Sequence, residues 1–166
     1  YMGGKKGDWL KLARHLSPKL KVSKLTSGVY DGVKMAEYMD EIEALYYQNA
    51  GFEAVKGSFK KVYRQFYLQM QTAENRQEIR EAYQKAKQKM SELELKIPEH
   101  PVRIGIVGEY FTAMDPGSNQ FLQDKLVRLG ASVYRFLNVT NCHFRAKEPT
   151  LRPRIKEYAK FNMGPT

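Results

Sequence analysis

Glu109, Asp115, Ser118 and Asn119 are the polar residues whose types and spacing best suit a ligand site in this chain. They follow the apolar run Val102-Arg103-Ile104-Gly105-Ile106-Val107, which ends at Gly108. A carboxylate just past an apolar strand is costly unless it is paired or faces a cleft, so Glu109 is the first candidate. Asp115, Ser118 and Asn119 surround the expected start of a helix. Free backbone N–H groups there favour anions such as a phosphate or a thioester oxyanion. A purely structural role competes, because aspartate and serine are also ordinary helix caps. With Gly108, these residues are the cleft candidates.

The elements around them follow from pattern. Val102, Ile104, Ile106 and Val107 read as a strand buried on both faces of a parallel sheet. Asp115-Pro116 predicts a helix start, aspartate as N-cap and proline at the first helical position. Its core face would be Phe121, Leu122, Leu126 and Leu129, with Gly130 at the left-handed position after its end. A second strand is expected over 132–137. Strand, helix and strand in about 36 residues form one βαβ unit with a right-handed crossover. Ligands of such units sit beyond the carboxyl ends of the strands, here Gly108 to Asn119. A loop from Asn138 to Phe144 and a helix near 153–161 would follow.

These residues carry a resemblance. Ile104-Gly105-Ile106-Val107-Gly108-Glu109, then Asp115-Pro116-x-Ser118-Asn119, a leucine-rich helix and Gly130-Ala131 resemble the start of the C-terminal lobe in one family. That family is the 2-hydroxyacyl-CoA dehydratase subunits and their activase-related proteins, the benzoyl-CoA reductase-like group. The likeness covers about 65 residues, clear in the strand and loop and diffuse elsewhere. It implies a lobe lining a cleft for an acyl-CoA or an iron–sulfur site, and one-electron chemistry on the acyl-CoA. A 4Fe-4S cluster would be held by cysteines elsewhere in a longer parent. The resemblance offers Glu109, Asp115, Ser118 and Asn119 as cleft residues and no cluster ligand. An unrelated Rossmann-like half-domain would show the same valine-rich strand ending in glycine.

Other chemistry is missing. Gly105 and Gly108 lie in or end a strand and do not open a helix, so no dinucleotide fingerprint exists, and no P-loop occurs. There is no Gly-x-Ser-x-Gly elbow, CxxC or HExxH. His15 and His100 read as solvated. Cys142-His143 suits neither a shared metal nor a nucleophile–base pair, and an idle or buried cysteine is the better reading. A single cysteine excludes an internal disulfide and suits a cytoplasmic setting. No metal site and no cofactor are expected within these residues. No apolar run reaches membrane-spanning length.

The formal charge is +10. That invites an alternative, a basic helical module binding nucleic acid or an acidic partner. Lysines interleaved with Glu74, Glu78, Glu81, Glu92 and Glu94 argue against a nucleic-acid partner. The helical half extends to about residue 98. A short helix is expected over 8–16 and an edge strand over 19–25, whose alternating lysines would discourage pairing. Ser27-Gly28 and Asp31-Gly32 read as turns, followed by a helix over 32–49. Another, over 58–70, carries the stripe Phe59, Val62, Tyr63, Phe66, Tyr67 and Met70, a core face by its spacing, with base stacking as the competing use. Thr72 would open a long helix through Leu95, and Lys96 to Pro101 a linker.

The expected architecture is α/β, a helical N-terminal region (1–98) followed by a partial Rossmann-like lobe (102–166). The edges of the chain read as cuts, so a fragment of a longer protein is expected, inactive alone. Its open sheet would leave Ile104, Ile106 or Val133 exposed, to be buried against the rest of the parent or a second copy, exchange about the 96–101 linker giving a swapped dimer.

Overall fold

The computed structural model describes His15 and residues 21–140. By its contacts the chain divides into Tyr1–Lys34 and Met35–Thr166. The expected helices over 8–16 and near 153–161, and the Cys142-His143 pair, lie outside the described residues, His15 excepted, which is helical and exposed.

In the first unit, α1 (Val22–Asn49) begins. The amide of Leu25 donates to the Lys21 carbonyl at 3.2 Å, and the Thr26 hydroxyl donates to the Ser23 carbonyl at 3.0 Å. The expected edge strand over 19–25 is therefore corrected: its described part is the first turn of a helix. Gly28 and Gly32 also lie inside α1. The apolar spacing later in α1 nucleates the helix, and each further residue adds one backbone bond, which outweighs a seven-residue alternation and two glycines. Each glycine costs about 0.5–1 kcal/mol relative to alanine.

In the second unit the remainder of α1 lays Met35, Tyr38, Met39, Ile42, Leu45 and Tyr46 on the core, as their spacing predicts. A 3-10 turn (Ala50–Phe52) follows, and then α2 (Ser58–Thr72) and α3 (Arg76–Ser91). Both carboxylate oxygens of Glu53 start α2, accepting from the Gly57 and Phe59 amides and the Ser58 hydroxyl. Phe59, Phe66 and Met70 are almost fully buried while Tyr67 is 44% exposed, so the α2 stripe is core with one flank in water. Thr72 does not open the next helix. It ends α2, and Asn75 caps α3, accepting from the Glu78 amide at 3.0 Å. Glu78 reaches back to the Glu74 amide at 2.8 Å, a reciprocal cap that fixes the start there. Leu93 and Leu95 pack on the core from beyond the end of α3.

The sheet among the described residues is β1 (Arg103–Ile106) beside β2 (Ser132–Arg135), parallel, with Arg103 opposite Ser132 and Ile106 opposite Arg135. The crossover holds α4 (Tyr110–Met114) and α5 (Leu122–Arg128). Gly130 takes φ +82°, the left-handed position expected after the helix. The chain is thus mostly helical, with a small parallel sheet, a partial α/β arrangement.

Three expectations about this half are corrected. β1 is not buried on both faces: its residues are half-buried, and Val102 and Val107 at its ends are 57% and 71% exposed. Among the described residues it has one hydrogen-bonded neighbour, and its Ile104 and Ile106 pack against the core. Nor are the side chains expected in water left there: Val133 is 1% exposed and Ile104 and Ile106 are half-buried against the core. The core face of α5 is rotated. Gln123 and Val127 are buried, while Phe121, Leu122 and Leu129 are exposed and only Leu126 packs inward as predicted. One core cluster takes Ile42, Phe66 and Met90 from before the 96–101 segment and Val127 and Val133 from after it. The start of that segment is pinned, Lys96 donating its amide to the Phe52 carbonyl at 2.7 Å.

Candidate functional site

The βαβ arrangement places the 108–119 stretch beyond the carboxyl end of β1. Its polar side chains are held by local bonds. Glu109 is the N-cap of α4, accepting from the Phe111 amide at 3.0 Å and the Thr112 amide at 2.9 Å. Those amides, Phe111 first, hold the Glu109 carboxyl below its usual range. Asp115 does not cap the helix that follows: it ends α4, and its carboxylate accepts from the Ser118 amide at 2.6 Å. Ser118, through its side chain and then its amide, lowers the Asp115 carboxyl. Asn119 accepts from the Leu122 amide at 3.2 Å and donates to the Ala113 carbonyl at 3.4 Å. Gly108, Glu109 and Ser118 are exposed, and Asp115 and Asn119 half-buried. The structure thus brings all five candidates into one loop region and gives the four side chains local work, Glu109 as a helix cap and Asp115, Ser118 and Asn119 in the turn between α4 and α5.

The same stretch carries exposed apolar surface. Val107, Phe111 and Phe121 are 71%, 63% and 58% exposed. Glu109 and Ser118, close by in sequence, are exposed as well.

The carboxyl end of β2 is closed by a network that sequence reasoning missed. Arg135 donates from Nε to the Leu137 carbonyl at 2.8 Å, from Nη1 to Gln123 at 2.9 Å and from Nη2 to Glu43 at 2.5 Å. Its guanidinium therefore ties β2 to α5 and to α1. Burial pushes the Glu43 carboxyl up, with the Arg135 charge opposing. Tyr47 donates to Asp124 at 3.3 Å, and burial followed by the Asp124 charge pushes its phenol well up. Asp40 accepts the Thr140 amide at 2.7 Å. A cavity of about 20 Å³ among Asp40, Glu43, Gln123 and Arg135 is room for about one water and no larger ligand. The available signal was Arg135 itself, a charge at the end of an apolar strand.

His100 is exposed, as its linker position implied. Among the described residues no three His, Cys, Asp or Glu side chains stand together to hold a metal ion, and no helix is long and apolar enough to cross a membrane. The single cysteine, Cys142, lies outside the described residues. A thiolate-held iron–sulfur cluster does not fit the donor set of the described residues, which contains no thiol.

No protein-family model, curated protein or solved structure matches the chain.

Proposed function

We propose that this chain is the helical connector and opening βαβ unit of a Rossmann-like lobe in a 2-hydroxyacyl-CoA dehydratase-like or activase-related protein. In this reading it is inactive alone and supplies one wall of an inter-lobe cleft. The observation that carries it is the parallel β1–β2 pair with its helical crossover, which sets Gly108 to Asn119 beyond the carboxyl end of β1. Ligands of open α/β sheets lie in that crevice. The exposed Phe111 and Phe121 would face an acyl or pantetheine chain, or the rest of the parent, and Glu109 and Ser118 would mark the polar rim. Arg135 closes the neighbouring strand end, so the wall on that side is rigid and its charge is already committed to Glu43. Any 4Fe-4S cluster would depend on cysteines of the parent, and no step is assigned to it here.

The alternative, a basic module that stacks nucleic-acid bases, draws no support from α2, because Phe59 and Phe66 are buried in the core.

The test is the complete gene product purified without oxygen. It should carry iron and acid-labile sulfide and bind an acyl-CoA. A complete product that holds no iron and ignores acyl-CoA would overturn the reading.

A further inference from the structure

A second cavity lies at the other end of the sheet. Gly130 lies just before β2, so the groove it borders is at the amino-terminal end of that strand, away from the 108–119 loop. It has a volume of about 500 Å³, inside the range of roughly 300–1,000 Å³ typical of small-molecule sites. Its floor is apolar: Tyr46, Ala50 and Val127 are each less than a tenth exposed, and Leu129 stands at the lip, 83% exposed.

Cations converge on this groove from two directions. Lys56 lies in the turn before α2, Lys60 in its first turn, and Arg128 is the last residue of α5. All three are exposed, and among the described residues none of their side chains makes a hydrogen bond or ion pair. The two acids of the lining are already engaged. Glu53 holds the first turn of α2, and Asp124 accepts from Tyr47. Burial pushes the Tyr46 phenol on the floor up, the Asp124 and Glu53 charges add to that push, and the Arg128 charge opposes it. The groove therefore offers two ammonium groups and one planar guanidinium above an apolar floor, three cations against the two carboxylates of Glu53 and Asp124.

We propose that this groove binds a small organic diphosphate, the phosphates held by Lys56, Lys60 and Arg128 and a planar or apolar body laid over Tyr46, Val127 and Leu129. Guanidinium and ammonium groups together are what a multiply charged phosphate recruits. A ligand without charge would leave the cations unused, and inorganic pyrophosphate would leave the floor unused. The inference does not rest on the acyl-CoA reading, since the two sites lie at opposite ends of β2 and either can fail alone.

The test is calorimetric titration of the 166-residue chain with ADP, and separately with pyrophosphate and with adenosine. ADP should bind one to one and more tightly than either of its parts. Lys60→Gln and Arg128→Gln should each weaken ADP by about tenfold, as loss of one charge-assisted contact implies, with unchanged unfolding midpoints. Lys85→Gln on α3, remote from the groove, should leave ADP affinity as it was. Absence of binding at millimolar ADP would overturn the proposal. So would an equal loss in Lys85→Gln, which would mark diffuse attraction to a chain of charge +10, or pyrophosphate binding as tightly as ADP.

Discussion

Gly51 and Ala131 meet backbone to backbone: a Cβ on Gly51 would stand 2.1 Å from the Ala131 carbonyl oxygen and 2.7 Å from its carbon. The turn after α1 is thereby pressed against the residue just before β2. No side chain can yield at such a contact, so Gly51→Ala must move the strand or the turn. We expect a loss at or above the upper end of the usual overpacking cost of about 1–3 kcal/mol. Gly28→Ala, in open space on a helix, should instead gain about 0.5–1 kcal/mol. Urea midpoints of the two variants should move in opposite directions, and a wild-type midpoint for Gly51→Ala would contradict the packing described.

Phe66 is 1% exposed at the centre of the α2 stripe and Tyr67, its neighbour, is 44% exposed. Phe66→Ala should cost about 3–5 kcal/mol. Tyr67→Ala should stay within about 1 kcal/mol of wild type, as exposed positions usually do. Equal effects in thermal or denaturant unfolding would mean that the stripe faces elsewhere.

Arg135→Met leaves Glu43 without its partner. Removing one member of a buried pair costs about 3–5 kcal/mol, and the lower end applies because a quarter of the Glu43 side chain remains exposed. The sign of the pH dependence follows from burial, which raises the Glu43 carboxyl in the folded state. The native state then takes up a proton before the unfolded chain does, so stability rises as pH falls through the raised value. The deficit of Arg135→Met should therefore shrink on mild acidification. A deficit that is the same at every pH would exclude a charged Glu43 as its cause.

Glu109 and Asp115 act in the opposite sense. Their carboxyls are lowered by the bonds they accept in α4 and the turn after it. Their contribution is present above the ordinary carboxylate value and is lost as pH falls through the lowered ones. Glu109→Gln should flatten the acid limb of the stability curve below about pH 4.5, the ordinary value for this carboxyl. An unchanged acid limb would remove the capping role.

Much of the fold was legible where local chemistry decides it. The two strands, the parallel crossover and the left-handed Gly130 follow from apolar runs and one glycine. The α2 stripe follows from spacing alone. What was not legible depended on contacts distant in sequence. Gln123 is buried because Arg135 binds it, and Arg135 is fixed by Glu43. That network turns α5 away from the face its leucines suggested. Asp115 looked like an N-cap because aspartate and proline suit one. Instead its carboxylate closes a turn on Ser118, Glu109 caps α4, and α5 begins only at Leu122. Gly28 and Gly32 looked like turns because nothing local shows that α1 continues through them. The candidate site was found as a stretch, but the local bonds of its four side chains were visible only in three dimensions.

Hydrogen–deuterium exchange on the complete gene product, with and without an acyl-CoA, tests the central proposal most directly. Binding should slow exchange of the amides over 108–119, at the carboxyl end of β1. Acyl-CoA that binds without protecting 108–119, or that does not bind at all, would contradict the assignment of this loop to an acyl-CoA cleft.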